Sequence, residues 1–160
     1  MNGEVVPRVA ARVLLLDPAG RVLLVRFEDR ETNYVWWATP GGGIGPGESP
    51  EEAARREVRE ETGLREFELG PCVWVREVEF TWRGRRYRQR EHIFAARVPG
   101  FEPSRDGFES YELALMPEHR WWTADEIERS RDRFGPRRLG RMLRDLLANG
   151  FPPEPIEIGT

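Results

Sequence analysis

One short segment of this sequence marks the start of a helix that lies between strand-like runs, and this order limits the class of fold. Residues Ser49 to Glu52 read SPEE, with serine as N-cap, proline at the first helical position and glutamate three residues after the cap. Gly63 supplies a C-terminal stop, so the pattern predicts a helix to about Thr62. Because strand-like sequence lies on both sides, the chain is predicted to be an α+β or α/β sandwich.

Aliphatic, β-branched and aromatic runs predict strands over residues 9–16, 21–27, 34–37, 73–82, 86–98 and 119–122. Thr123 and Glu126 repeat the capping-box pattern and predict a helix to about Arg133, and an amphipathic final helix ends near Gly150. We therefore expect a single domain over residues 1–150, followed by an extended, proline-rich tail over residues 151–160.

Composition narrows the function classes. All 25 basic residues are arginine, which excludes a Schiff-base lysine and a phosphate-loop lysine. The net charge of −3 argues against a dedicated nucleic-acid-binding protein. The single Cys72 excludes an intramolecular disulfide, and two separated histidines form no zinc pattern. Without a signal-peptide profile or a membrane-length apolar run, a cytoplasmic protein with no membrane association is expected.

The first predicted helix carries an unusual cluster of acids. Glu57, Glu60 and Glu61 stand at positions i, i+3 and i+4, so their side chains project from one face, where we expect Glu60 and Glu61 to be exposed. Like charges at this spacing repel by about 0.2 to 0.5 kcal/mol per pair. A solvated helix with Glu–Arg pairs is one interpretation, and Arg56 is placed to hold a carboxylate through a bidentate contact. A divalent cation bound by the three carboxylates is the other.

The segment around this helix resembles the signature of the Nudix hydrolases. That signature is a glycine, five residues, a glutamate, seven residues, and then Arg-Glu-aliphatic-any-Glu-Glu-any-Gly-aliphatic. This chain fills every position, with Gly42, Glu48, Arg56, Glu57, Val58, Glu60, Glu61, Gly63 and Leu64. The resemblance implies the family's mixed β-sheet sandwiched between helices.

The resemblance also implies a function, the hydrolysis of a nucleoside diphosphate linked to another group, with Mg²⁺ as cofactor and Mn²⁺ as a substitute. By residue-by-residue match, the metal ligands would be Glu60, Glu61 and the Gly41 carbonyl. Glu57 matches a residue that is either a ligand or the general base. Arg56 and Glu48 match positions that orient the carboxylates or hold the loop.

Many family members recruit one more acid from a distant loop, and Glu112 and Glu118 are the best placed here. Arg86, Arg88 and Arg90 lie on one face of a strand and are candidates for binding substrate phosphates, although an exposed, arginine-rich hairpin is the competing interpretation. Trp37 is a candidate for stacking on a base.

The substrate class stays broad, because the segment after the signature lacks the proline and tyrosine that mark two subfamilies. A small nucleotide, such as a nucleoside triphosphate, is the expected partner, and both a monomer and a homodimer remain open. Two alternatives are a regulatory domain that binds a nucleotide without hydrolysing it, and an isopentenyl diphosphate isomerase. The intact signature disfavours the first, and the position of Cys72 disfavours the second.

Overall fold

The computed structural model describes residues 3–29, 31–82, 84–104 and 118–159. Within these residues, nine strands form a single sheet, and their bounds are β1 (Val5–Leu16), β2 (Val22–Asp29), β3 (Tyr34–Ala38), β4 (Gly41–Gly43), β5 (Cys72–Trp82), β6 (Arg85–Arg97), β7 (Glu118–Trp122), β8 (Phe134–Gly135) and β9 (Ile156–Ile158).

Three helices accompany the sheet in the described residues: α1 (Pro50–Thr62), α2 (Ala124–Arg129) and α3 (Leu139–Asn149). Both predicted capping boxes form, at Ser49 and at Thr123. Gly63 closes α1 in the left-handed conformation, at a φ of 82°. None of the helices in the described ranges combines the length and apolar character needed to cross a membrane.

The sheet is mixed, with the order β8-β3-β2-β1-β6-β5-β9, while β4 pairs with β1 and β7 pairs with β2. At its centre, β1 and β6 pair in parallel over twelve residues, from Val5 opposite Arg86 to Leu16 opposite Arg97. The neighbouring β5–β6 and β2–β3 pairs are antiparallel. Because β1 also pairs with β4, it connects the centre of the sheet to the glycine loop.

Side-chain alternation along β1 divides the core between the two faces of the sheet. Leu14 and Leu16 join the apolar cluster that contains α3, whereas Val13 and Leu15 join the cluster that contains α1. Helix α1 packs on its face through small or branched residues, Ala53, Ala54 and Val58. The mixed sheet between helices agrees with the expected fold class.

One expectation about the C-terminal half needs correction. The second helix ends at Arg129 instead of near Arg133, because the Arg133 carbonyl accepts a hydrogen bond from the Trp37 N–H and the next residues form β8. Within the tail that was predicted to be extended, Ile156–Ile158 forms β9 and pairs in parallel with β5.

Candidate active site

The segment between β3 and α1 is rich in glycine, and at two of these glycines the backbone passes very close to neighbouring groups. A Cβ on Gly41 would lie 2.4 Å from the Ala11 carbonyl oxygen, and one on Gly42 would lie 2.6 Å from Oε1 of Glu57. Both distances are shorter than real Cβ contacts. The Glu57 carboxylate therefore occupies space that exists only because Gly42 has no side chain.

The three clustered glutamates of α1 are divided between two environments. Glu57 and Glu61 turn inward and are 9% and 2% exposed, while the Glu60 side chain remains 38% exposed. Oε1 of Glu61 accepts a hydrogen bond of 3.1 Å from the Gly41 N–H. The expectation that Glu61 is exposed is therefore wrong, because the helical turn carrying it faces the glycine loop.

Arg56 connects the helix to the loop and to its neighbouring acids. It makes a bidentate contact with a carboxylate, as predicted, and the partner is Glu48, which it contacts through Nε at 2.7 Å and Nη2 at 2.9 Å. Nη2 also donates to the Gly43 carbonyl at 3.0 Å. Nη1 lies 3.1 Å from Glu57 and 3.3 Å from Glu60. One guanidinium thus restrains three carboxylates and the loop backbone.

The carboxylate of Glu48 is fixed in its charged form. Its hydrogen bonds from Arg56 and then from the Gly45 N–H lower its pKa to about 2. The same contact with Glu48 raises the pKa of Arg56. This pair therefore stays ionised at neutral pH and anchors the end of the glycine loop to α1.

Glu61 has the opposite electrostatic environment. Burial raises its pKa well above the ordinary range, and the nearby charge and side-chain hydrogen bond of Glu57 raise it further. The Gly41 N–H and the positive charge of Arg12 oppose the shift without cancelling it. Glu57 and Glu61 thus form a buried carboxyl pair with a deficit of positive charge.

This pair has the donor chemistry that a hard divalent cation prefers, since both side chains offer oxygen atoms. Gly42 leaves room for the Glu57 carboxylate. Among the described residues, no group of three or more His, Cys, Asp or Glu side chains is arranged to hold a metal ion, and Glu60 contacts Arg56. The donor set fits a cation around Glu57 and Glu61.

Of the two acids predicted to come from the distant loop, Glu118 lies among the described residues and Glu112 does not. Glu118 begins β7, with a side chain 55% exposed and one carboxylate oxygen 3.8 Å from Nε of Arg26. The next residue, His119, reaches α1, because its Nε2 lies 2.5 Å from the Glu61 carbonyl oxygen. Glu112 lies outside the described residues. The assignment of both acids as ligands stays a prediction.

The candidate substrate-binding residues lie in two places. Trp37 is buried, packs edge-on against Trp122 and donates from Nε1 to Asp132 at 3.1 Å. The exposed guanidinium groups of the β6 hairpin already have carboxylate partners: Arg86 and Arg88 contact Glu79, and Arg90 contacts Glu157. Substrate binding by these four residues stays a prediction.

Sequence reasoning missed two side chains that contact the site from other elements. Arg12 on β1 donates from Nη1 to the Thr39 carbonyl at 2.9 Å, just before the glycine loop. His119 contacts the last turn of α1. An arginine between apolar residues of a central strand is a signal that could have identified Arg12, whereas nothing in the local pattern distinguishes His119.

The chain resembles known proteins in both sequence and fold. A family model described as NUDIX domain matches residues 6–144. A relative named "Putative 8-oxo-dGTP diphosphatase" from Bacillus subtilis is 33% identical over 103 residues, which cover 64% of this chain. The chain spans 62% of the length of that relative.

A second relative, named "RNA pyrophosphohydrolase" from Erythrobacter litoralis, is 32% identical over 133 residues, covering 76% of this chain and 79% of the relative. Among solved structures, the MutT protein from Methanosarcina mazei Go1 superposes with a TM-score of 0.63 at 22% identity, covering 92% of this chain and 97% of that one. This likeness establishes the fold.

Proposed function

The chain belongs to the Nudix family, and from this premise we propose that it is a Mg²⁺-dependent pyrophosphohydrolase acting on a nucleotide. The reaction is attack by water on a phosphorus atom of a nucleoside diphosphate that is linked to another group. The bond between phosphorus and the bridging oxygen breaks, and each product leaves with a phosphate group. Mn²⁺ is the expected substitute for Mg²⁺.

The observation that carries this proposal is the carboxyl pair of Glu57 and Glu61. Two adjacent carboxyl groups are buried beside the glycine loop, where Gly42 leaves room for the carboxylate of Glu57. Such a pair is costly to bury unless a cation compensates its charge. A divalent cation would therefore be bound tightly at this position.

The residues have distinct roles in this proposal. Glu57, Glu61, the more exposed Glu60 and the Gly41 carbonyl would hold the cation, which when bound would neutralise phosphate charge and acidify water. As an alternative to the role of ligand, Glu57 is the candidate general base, and its contact with Arg56 fixes the position of its carboxylate.

Arg56 and Glu48 act on the geometry of the site. The bidentate contact of Arg56 with Glu48 fixes the guanidinium, whose remaining donors hold the Gly43 carbonyl and orient Glu57 and Glu60. Glu48 in turn accepts a hydrogen bond from the Gly45 N–H at 2.8 Å, which holds the loop in place.

For the substrate we propose a nucleotide with a 5′-triphosphate, free or at the end of an RNA. The two relatives carry the names of an 8-oxo-dGTP diphosphatase and an RNA pyrophosphohydrolase, and both names describe cleavage of a phosphoanhydride. The test panel therefore contains nucleoside triphosphates, 8-oxo-dGTP, 5′-triphosphorylated RNA oligonucleotides, dinucleoside polyphosphates and nucleotide sugars.

The experiment compares the wild-type protein with Glu61→Gln, reading released phosphate and pyrophosphate in the presence of Mg²⁺. Loss of a metal ligand is expected to reduce turnover by more than about 100-fold, since even residues that only support ligands change activity by 10- to 100-fold. Glu51→Gln, an exposed acid in the first turn of the same helix, is the matched control and should keep full activity.

Equal turnover by Glu61→Gln and the wild-type protein would overturn the proposal. Complete inactivity of the wild-type protein on the panel, together with tight nucleotide binding, would instead support the regulatory, non-hydrolytic alternative.

A further inference from the structure

A buried ionic cluster lies on the face of the sheet opposite α1. At its centre is Glu91 on β6, which is 1% exposed. Arg76 donates to Glu91 from Nε at 2.7 Å, Arg12 donates from Nε at 3.0 Å, and the Gln89 amide donates at 2.7 Å. Two guanidinium groups therefore converge on one carboxylate, which is more positive charge than neutralisation requires.

The two arginines differ in what else they hold. Arg12 continues from Glu91 to the Thr39 carbonyl, to which its Nη1 donates at 2.9 Å. Among the described residues, the side-chain hydrogen bond of Arg76 goes to Glu91. The guanidinium group of Arg12 thus connects the ionic cluster to the residues that precede the glycine loop.

The backbone of Gly41 packs directly on Arg12. The two residues are opposite each other in the β1–β4 pairing, and a Cβ on Gly41 would lie 2.4 Å from Cγ of Arg12. Arg12 therefore contacts the loop both by a hydrogen bond to Thr39 and by van der Waals contact with Gly41. Neither contact is required to neutralise Glu91.

Gly41 also contacts the carboxyl pair, because its N–H donates a hydrogen bond of 3.1 Å to Oε1 of Glu61. We propose that Arg12, held by Glu91, is a positioning residue that sets the place of Gly41 and thereby aims the Glu61 carboxylate at the divalent cation. This inference rests on the proposed function, since it assigns Arg12 to the support of that metal site.

The test measures Mn²⁺ affinity by electron paramagnetic resonance, independently of turnover. Arg12→Met keeps the length of the side chain but removes its donors, and we expect Mn²⁺ binding to weaken by about 10- to 100-fold. Arg76→Met is the matched control, because it removes the other buried guanidinium from the same carboxylate. It is expected to change Mn²⁺ affinity by less than about twofold, although both variants lower thermal stability.

A double-variant cycle distinguishes positioning from general loosening of the fold. If Arg12 acts through Glu61, then Arg12→Met weakens Mn²⁺ binding much less when Glu61→Gln is already present. If Arg12→Met does not fold, Arg12→Lys serves the same test. A single ammonium group cannot donate to both Glu91 and the Thr39 carbonyl as the guanidinium does, so this variant should have a Mn²⁺ affinity between those of the wild-type protein and Arg12→Met.

The outcomes separate this inference from the proposed function. Unchanged Mn²⁺ affinity in a folded Arg12 variant, or equal weakening by Arg76→Met, would overturn the positioning role while leaving the hydrolase proposal intact. A wild-type protein that neither binds Mn²⁺ nor hydrolyses any member of the panel would overturn both.

Discussion

Two arginine–carboxylate clusters stand on either side of the glycine loop and differ in the balance of their charges. At α1, the single guanidinium of Arg56 faces three carboxylates, and a fourth, that of Glu61, lies beside the carboxylate of Glu57. Across the loop, two guanidinium groups surround the single carboxylate of Glu91. The first cluster has excess negative charge and the second has excess positive charge.

This difference indicates what each cluster can do. A cluster with excess carboxylate gains stability from an added cation, so it behaves as a binding site. In the other cluster, the carboxylate of Glu91 already accepts hydrogen bonds from three side chains, so an added cation would gain little there. These hydrogen bonds instead fix the relative positions of β1, β5 and β6. The same residue types therefore give a site in one place and a rigid support in the other.

The largest effect should come from breaking the enclosed cluster. Glu91→Gln leaves two buried guanidinium groups without a carboxylate, which should reduce the free energy of unfolding by about 3–5 kcal/mol at neutral pH. Chemical denaturation measured by circular dichroism gives this value. A loss below about 1 kcal/mol would mean that the pairing at Glu91 contributes little to stability.

Acid titration provides the control for this prediction. Burial alone would raise the pKa of Glu91, but the charges of Arg12 and Arg76 outweigh it and hold the pKa at about 2. Because this pKa is below that of the unfolded chain, the stabilisation is present above about pH 4.5 and is lost as the pH falls towards 2. The difference in stability between the wild-type protein and Glu91→Gln should therefore narrow over that interval.

A smaller effect should come from supplying the cation that the α1 cluster lacks. At a Mg²⁺ concentration of about 100 times its dissociation constant, the protein should gain about 2.7 kcal/mol of stability. This corresponds to a rise of several degrees in the melting temperature, measured by differential scanning fluorimetry with and without the ion.

The stability gained with Mg²⁺ should originate at the carboxyl pair of α1. In Glu61→Gln the rise with Mg²⁺ should largely disappear. Without metal, the variant should be at least as stable as the wild-type protein, because glutamine cannot carry the negative charge that burial disfavours at this position. If Mg²⁺ stabilises Glu61→Gln as strongly as the wild-type protein, the cation binds elsewhere.

The smallest effect is expected at the exposed hairpin. Arg88→Ser breaks an exposed ion pair with Glu79, whose atoms lie 3.2 Å apart, and should change stability by no more than about 0.5 kcal/mol. Steady-state kinetics on the same variant tests the predicted substrate role, because loss of a phosphate contact raises KM. An unchanged KM would remove Arg88 from the candidate binding residues.

Local sequence signals predicted much of this molecule. The caps at Ser49 and Thr123, the stop at Gly63 and the strand runs correspond to observed elements. These features depend on neighbours within a few residues, so they are visible in the sequence. The sequence also predicted that Arg56 holds a carboxylate, although it did not identify Glu48, eight residues away, as the bidentate partner.

Long-range pairing explains the rest. The parallel pairing of β1 with β6 brings Arg12 to Glu91, which is 79 residues away, and no local pattern specifies that partner. The burial of Glu61 depends on how α1 packs against β4, although its position on the helix is evident from the sequence. The short β8 and β9 strands likewise exist only through pairing with β3 and β5.

The absence of a side chain at Gly42 has a consequence for how this protein tolerates mutation. Even a single methyl group there would meet the Glu57 carboxylate before it met any part of the apolar core. In a library that scores abundance and turnover separately, substitutions at this position should keep abundance and lose turnover. Substitutions at core positions such as Leu14 should lose both.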